Sequence, residues 1–167
     1  MASQPDLLTE TPEIQELEAP VGELHLRFFL PSDSEFALGA TGITEVMQQA
    51  TDRITPIPNA SSLLLGTINL RGQVIWVADL AKLLGDSTPY QLEAEIPVIA
   101  IEDQDTILGL AIAQLGEMEW LDPQQLQSPT EISQELAPYI QGEWSLAEKP
   151  LRLLDHRAIL RSEQWSR

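Results

Sequence analysis

Between Pro56 and Gly85 the chain is punctuated so often that only short strands joined by tight corners fit. Pro56-Ile57-Pro58-Asn59 sets a rigid turn, Leu65-Gly66-Thr67-Ile68 an apolar segment, and Asn69-Leu70-Arg71-Gly72 a corner directly before Gln73 to Ala78, which is almost wholly apolar. Such a run predicts a strand covered on both faces. An arginine at its lip is unusual, because strands enter cores with apolar residues, whereas a guanidinium stays charged and seeks planar acceptors. Gly72 suits a bend where a side chain would collide. Arg71 therefore has two candidate roles: a recognition cation, or a clip paired with Glu45 or Asp79. Between residues 28 and 148 its only basic companions are Arg53 and Lys82.

The rest of the chain reads in the same short segments. Residues 1 to about 20 combine Asp6, Glu10, Glu13, Glu16 and Glu18 with three prolines, and are expected to form a mobile acidic tail. Glu23 to Phe28 alternates apolar and polar residues as a half-buried strand does, with His25 on the polar face beside Glu23 and Arg27; Glu35 to Gly39 reads as its return. Ile43, Val46 and Met47 fit helical or strand-edge spacing equally. Ala60 to Leu65 is expected to make one helical turn, and Asp79 to cap a short helix ended by Gly85. Ile96 to Ile101 and Thr106 to Gln114 read as strands around the acidic loop Glu102 to Asp105. Tyr139 to Trp144 and Pro150 to Leu154 follow, before a helix capped by Asp155.

The two halves repeat faintly: Val77-Ala78-Asp79 matches Leu153-Leu154-Asp155, and at the same offset Gly66 falls on Gly142; Leu38-Gly39 falls on Leu108-Gly109 at a slightly shorter shift. Many short strands in two similar halves predict a mainly β fold of two small barrel lobes. The first lobe is expected at about 36–90 and the second at about 22–35 plus 91–164, with the exchange of strands between them open. Trp76, mid-strand, is assigned to the core, while Trp120, Trp144 and Trp165, near segment ends, are expected to be partly exposed.

With 26 acidic and 9 basic residues the formal charge is −17, which argues against nucleic acid or anionic lipid as a partner. The absence of cysteine excludes disulfides and thiolate metal sites. No secretory signal or bilayer-length apolar run is seen, so a cytoplasmic protein without membrane insertion is expected. No nucleophile elbow, phosphate loop or dinucleotide fingerprint occurs. His25 and His156 are both expected at the surface, and Asp103 and Asp105 lack the glycine and glutamate that a calcium loop requires. No catalytic residue, cofactor or metal is therefore expected.

The run from Pro56 to Gly85 resembles the CheW family, the coupling proteins of bacterial chemosensory arrays. The resemblance rests on the Pro-Asn turn at 58–59, Leu65-Gly66, Asn69-Leu70-Arg71-Gly72, the apolar strand and Asp79-Leu80. It implies two SH3-like five-stranded barrels within 21–164 and a non-enzymatic adaptor between methyl-accepting chemoreceptors and a CheA-type histidine kinase, in chemotaxis or pilus motility. It also implies recruitment to receptor arrays at the inner membrane. Carried over by position, Ile43, Val46, Ile57, Pro58, Asn69, Leu70, Arg71 and Gly72 would lie on or beside the surface facing the receptor's helical tip. Two departures lie in the second half, Gln114-Leu115-Gly116-Glu117 and Gln141-Gly142-Glu143-Trp144. Two other readings stay open: a regulatory protein-binding module of a two-component system without receptor contact, and a carboxylate-dependent enzyme.

Overall fold

The computed structural model describes residues 22–90, 93–146 and 149–166; the acidic segment expected to be a tail lies outside them. Ten strands form two five-stranded sheets. They are β1 (Glu23–Phe29), β2 (Glu35–Gly39), β3 (Ile43–Ala50), β4 (Leu64–Leu70), β5 (Gln73–Asp79), β6 (Glu95–Asp103), β7 (Thr106–Ala111), β8 (Gln114–Leu121), β9 (Ile140–Leu146) and β10 (Lys149–Leu154). Helix α1 (Leu80–Leu83) follows β5 and α2 (His156–Leu160) follows β10. Each has the predicted cap: the Asp79 carboxylate accepts from the Lys82 amide, and that of Asp155 from the amides of Arg157 and Ala158.

The strand orders are β3-β6-β7-β5-β4 and β8-β1-β2-β10-β9. The same pattern recurs with β6, β7, β3, β4 and β5 replaced by β1, β2, β8, β9 and β10. Each half of the chain thus lends its leading hairpin to the three later strands of the other half. Sheet membership consequently differs from the expected lobe boundaries. Strands β6 and β7, expected in the second lobe, complete the first sheet, and β2, expected in the first, pairs with β1 and β10 in the second. The cause is side-chain chemistry on both faces of these hairpins. Val98, Ala100 and Ala111 fill the first barrel, while Ile99, Ile101, Leu108 and Leu110 point outward into a core shared by both lobes. Phe28, Phe36 and Leu38 enter that shared core from the other side.

Each barrel is closed by a loop that crosses its outer strand. Thr55 and Thr67 exchange backbone hydrogen bonds of 2.9 Å, and Gln127 and Glu143 exchange bonds of 2.8 Å. The crossing at β4 needs Gly66, whose φ is +151° and where a Cβ would stand 2.3 Å from the Thr55 carbonyl oxygen. Gly142 serves the other crossing, with a Cβ there 2.7 Å from the Gln127 oxygen. The glycine pair noticed as a sequence repeat is therefore a repeated steric requirement.

Several sequence expectations are corrected. Ala60 to Leu63 forms turns, not a helical turn, and β4 begins at Leu64. Segment 43–50 is a strand with a bulge: Ile43 pairs with Ile101 and Glu45 with Ala100, so three residues of β3 span two of β6. That extra residue mimics helical spacing. His25 is buried (2% exposed), because β1 is covered on both sides. Its Nδ1–H donates to the Glu23 carbonyl at 2.8 Å, and its ring meets Trp144 edge-on at 5.0 Å. Trp144 is buried too, and its Nε1–H donates to the Asp122 carbonyl at 2.8 Å. Trp76, assigned to the core, is partly exposed. Arg27 stays on the outside rim, tying β1 to β2 through Glu35 (2.8 and 2.9 Å) and to β8 through Glu119 (2.7 Å).

His156, expected to be solvated, is half-buried. Its ring lies over Gly42, where a Cβ would approach it to 2.6 Å, and so fixes the crossover from β2 to β3 against α2. Burial, then the charge of Arg157, lowers its pKa below 6.5 against the opposing pull of Asp155 and Asp103. A histidine depressed on folding binds protons more readily when unfolded, so its protonation opposes folding. Its contribution is complete above its unfolded value near pH 6.5 and is lost as the pH falls through the depressed folded value. The difference in stability between wild type and His156→Gln, read by urea unfolding from pH 8 to pH 5, should therefore shift against wild type below pH 6.5. A difference independent of pH would contradict this account.

Candidate functional site

The β4–β5 hairpin turns in two residues. Leu70 pairs with Gln73, and Arg71 and Gly72 between them have φ of +52° and +83°, as a type I′ turn requires. The Asn69 side-chain oxygen accepts from the Gly72 amide at 2.8 Å and holds the loop. A Cβ at Gly72 would meet nothing within 4 Å, so glycine is present for its positive φ and not to avoid a collision. This places Arg71 at the extreme tip, projecting from a non-glycine residue in a left-handed conformation.

The Arg71 side chain is 76% exposed, and its Nη2 stands 2.6 Å from Oε1 of Glu45 on β3. No well-aligned hydrogen bond reaches that oxygen, so the contact is one of charge. It spans the gap between the two outer strands of the first sheet, on which the Thr55–Thr67 bridge also lies. Of the two clip partners considered, Glu45 is the one in contact. A single exposed contact leaves most of the guanidinium edge open to a partner.

The other sequence-predicted positions divide. Val46, Ile57, Pro58, Asn69 and Gly72 are exposed, and Val46 and Ile57 are two of the few large apolar side chains that are. Leu70 is buried inside the first barrel, and Ile43 is half-buried against the shared core. These two support the surface from beneath. Sequence reasoning missed Val74 and Met118, both exposed, whereas Trp120 is exposed as expected. Alternation along β5 signals Val74. Met118 and Trp120 stand at period two on β8, but a bulge opposite Leu26 and Phe28 separates them from Leu115 and hides the pattern.

Among the described residues the acidic groups nearest to a catalytic arrangement are engaged by basic or hydroxyl side chains. Asp103 is engaged by Arg157 (3.2 Å) and Arg161 (3.3 Å), and the buried Glu143 by Thr130 (3.1 Å) with Arg152 3.5 Å away. Among the described residues no group of three or more acidic, histidine or cysteine side chains converges as a metal site would, and no helix is long and apolar enough to cross a membrane.

Comparison with known proteins identifies the family and the fold. A family model described as the CheW-like domain matches residues 25–164. The probable chemotaxis protein CheW of Rhizobium etli is 25% identical over 139 residues, covering 83% of this chain and 88% of the relative. The chemotaxis protein CheW of Bacillus subtilis is 24% identical, covering 81% and 85%. The crystal structure of the scaffolding protein TtCheW from Thermoanaerobacter tengcongensis superposes with a TM-score of 0.74 at 21% identity, over 89% of this chain and 98% of that one, which shows a shared fold. A closed pair of barrels and a family match over most of its length lead to one conclusion: this chain belongs to the CheW-like family of chemotaxis coupling proteins, which are adaptors and not enzymes.

Proposed function

We propose that the chain holds the helical tip of a methyl-accepting chemoreceptor and a CheA-type histidine kinase together, so that receptor state reaches the kinase. The observation that carries this reading is the Arg71 tip: an exposed cation, 76% accessible, in a strongly acidic chain, with exposed Val46 and Ile57 on neighbouring segments. A guanidinium offers planar donors to a carboxylate, and apolar neighbours exclude water from that contact. A rigid two-lobed body supplies separate surfaces for two partners without any change of shape. Each contact need only be weak, because linked contacts in an array raise avidity. Positions Asn69 to Gly72 would face the receptor, with Leu70 and Ile43 as the buried support. The chain would then join receptor arrays at the inner membrane by binding and not by insertion.

Reconstitution tests this. Kinase autophosphorylation is measured on vesicles bearing the receptor's cytoplasmic domain, with and without the chain. Receptor-dependent activity that requires the chain is the expected result. Binding to the kinase without binding to the receptor would instead favour a regulatory module of a two-component system. Binding to neither would end the adaptor reading.

A further inference from the structure

Strand β5 leaves the shared core in steps. On its outward face Ala78 is fully buried, Trp76 is 37% exposed and Val74 is 67% exposed, so the face opens toward the Arg71 tip. Beside Trp76 lies a recess of about 360 Å³ walled by Asn59, Leu64, Trp76, Leu108, Leu160 and Trp165. Its far wall is fixed: the Trp165 Nε1–H donates to the Ile159 carbonyl at 2.7 Å, and the Ser61 hydroxyl to the Gln164 carbonyl at 3.2 Å. Two tryptophans therefore border an open apolar space at one end of an exposed apolar strand face.

The second barrel serves as an internal control. Val77 pairs with Gly109 as Leu153 pairs with Ala37. In this register Arg152 stands where Trp76 does, Glu35 where Ile107 does, and Phe36 where Leu108 does. A corresponding groove is present, bordered by Glu35, Phe36, Leu84 and Arg152. Glu35 and Arg152 are occupied within the molecule: Glu35 holds Arg27, and Arg152 donates to the Glu131 carbonyl at 2.9 Å. At the position of Trp76 the second barrel thus carries a charged side chain with a partner inside the molecule. An exposed tryptophan over an apolar recess is not something the architecture demands.

We propose that Val74, Trp76 and the recess are the continuation of the Arg71 surface, and that they seat an apolar side chain of the same receptor helix whose carboxylate meets Arg71. This rests on the coupling reading above. A strand rises about 3.3 Å per residue, so Arg71 and Trp76 lie about 17 Å apart, the length of roughly three helical turns. The occupant is therefore an amphipathic helix with an acidic residue at one end and a large apolar residue, such as Leu, Met or Phe, about three turns away. Between them an apolar residue lies over Val74. Charge complementarity sets the acidic end at the hairpin tip, where Arg71 is exposed. A tryptophan that loses its remaining exposure to such an anchor has the character of an interface hot spot.

The test uses the full chain with Val74→Asp, Trp76→Gln and Trp76→Phe, and as probe the purified cytoplasmic helical hairpin of a methyl-accepting chemoreceptor. Val74 lies outside every core cluster, so its variant keeps the test valid should Trp76→Gln disturb packing. Val74→Asp and Trp76→Gln should each weaken hairpin binding about tenfold or more, with Trp76→Phe near wild type and Val74→Asp melting as wild type does. If Val74→Asp and Trp76→Gln bind as wild type does while Arg71→Glu does not, this inference falls and the coupling reading stands. If wild type itself does not bind the hairpin, both fall.

Discussion

Gly66→Val, at a buried position, should remove about 3–5 kcal/mol of folding stability and lower Tm by about 10 °C or more. Two effects add. A Cβ at this position would lie 2.3 Å from the Thr55 oxygen and 2.7 Å from its carbonyl carbon, both backbone atoms that no rotamer change can move. The φ of +151° adds strain for any L side chain. The displaced segment is the one that seals the first barrel through the Thr55–Thr67 bridge and carries Ile57 and Pro58, so loosening it disturbs closure and site together. Gly72→Ala is the contrast. Its Cβ would meet nothing within 4 Å, leaving only the strain of φ +83°, about 1 kcal/mol. Equal losses at the two positions, measured by thermal and denaturant unfolding, would contradict the steric account of the crossing.

The same contrast shows what was legible in the sequence. The Leu-Gly pair before Asn-Leu-Arg-Gly was read only as part of an apolar segment, but two aspartates after apolar runs marked both helix caps, because capping is a local requirement of backbone geometry. The offset linking Gly66 to Gly142 also carried real structure. The match of Gly39 to Gly109 did not: by strand pairing Gly109 corresponds to Ala37. What escaped was set by long-range packing. His25 sits on a polar alternation yet is buried, because the second barrel closes over that face of β1. Trp76 sits in an apolar run yet is exposed, because the shared core covers β5 only as far as Ala78. Strand β8 and the nature of residues 43–50 were hidden by bulges, each inserting one extra residue and breaking the period of two.

Arg71→Glu is expected to abolish receptor coupling and to leave the fold intact. The stability side follows from exposure. The Arg71–Glu45 contact is made by a side chain 76% accessible to water, and exposed pairs contribute about 0–1 kcal/mol. Both the native and the substituted residue must hold φ near +52°, so backbone strain changes little. The binding side follows from desolvation. Once a partner helix covers the tip, a glutamate there would face the partner's carboxylate with Glu45 beside it. Such a reversal weakens binding by about 2 kcal/mol or more, roughly 30-fold. Glu45→Gln separates the two roles, because it unclips Arg71 while leaving the cation available.

The most direct measurement is the affinity of the Arg71→Glu chain for a purified receptor cytoplasmic hairpin, taken with its melting curve on the same sample. Loss of binding by 30-fold or more at an unchanged Tm is the predicted result. A variant that unfolds would make Arg71 a structural clip, and one that folds and binds as wild type does would place the receptor surface elsewhere on the molecule.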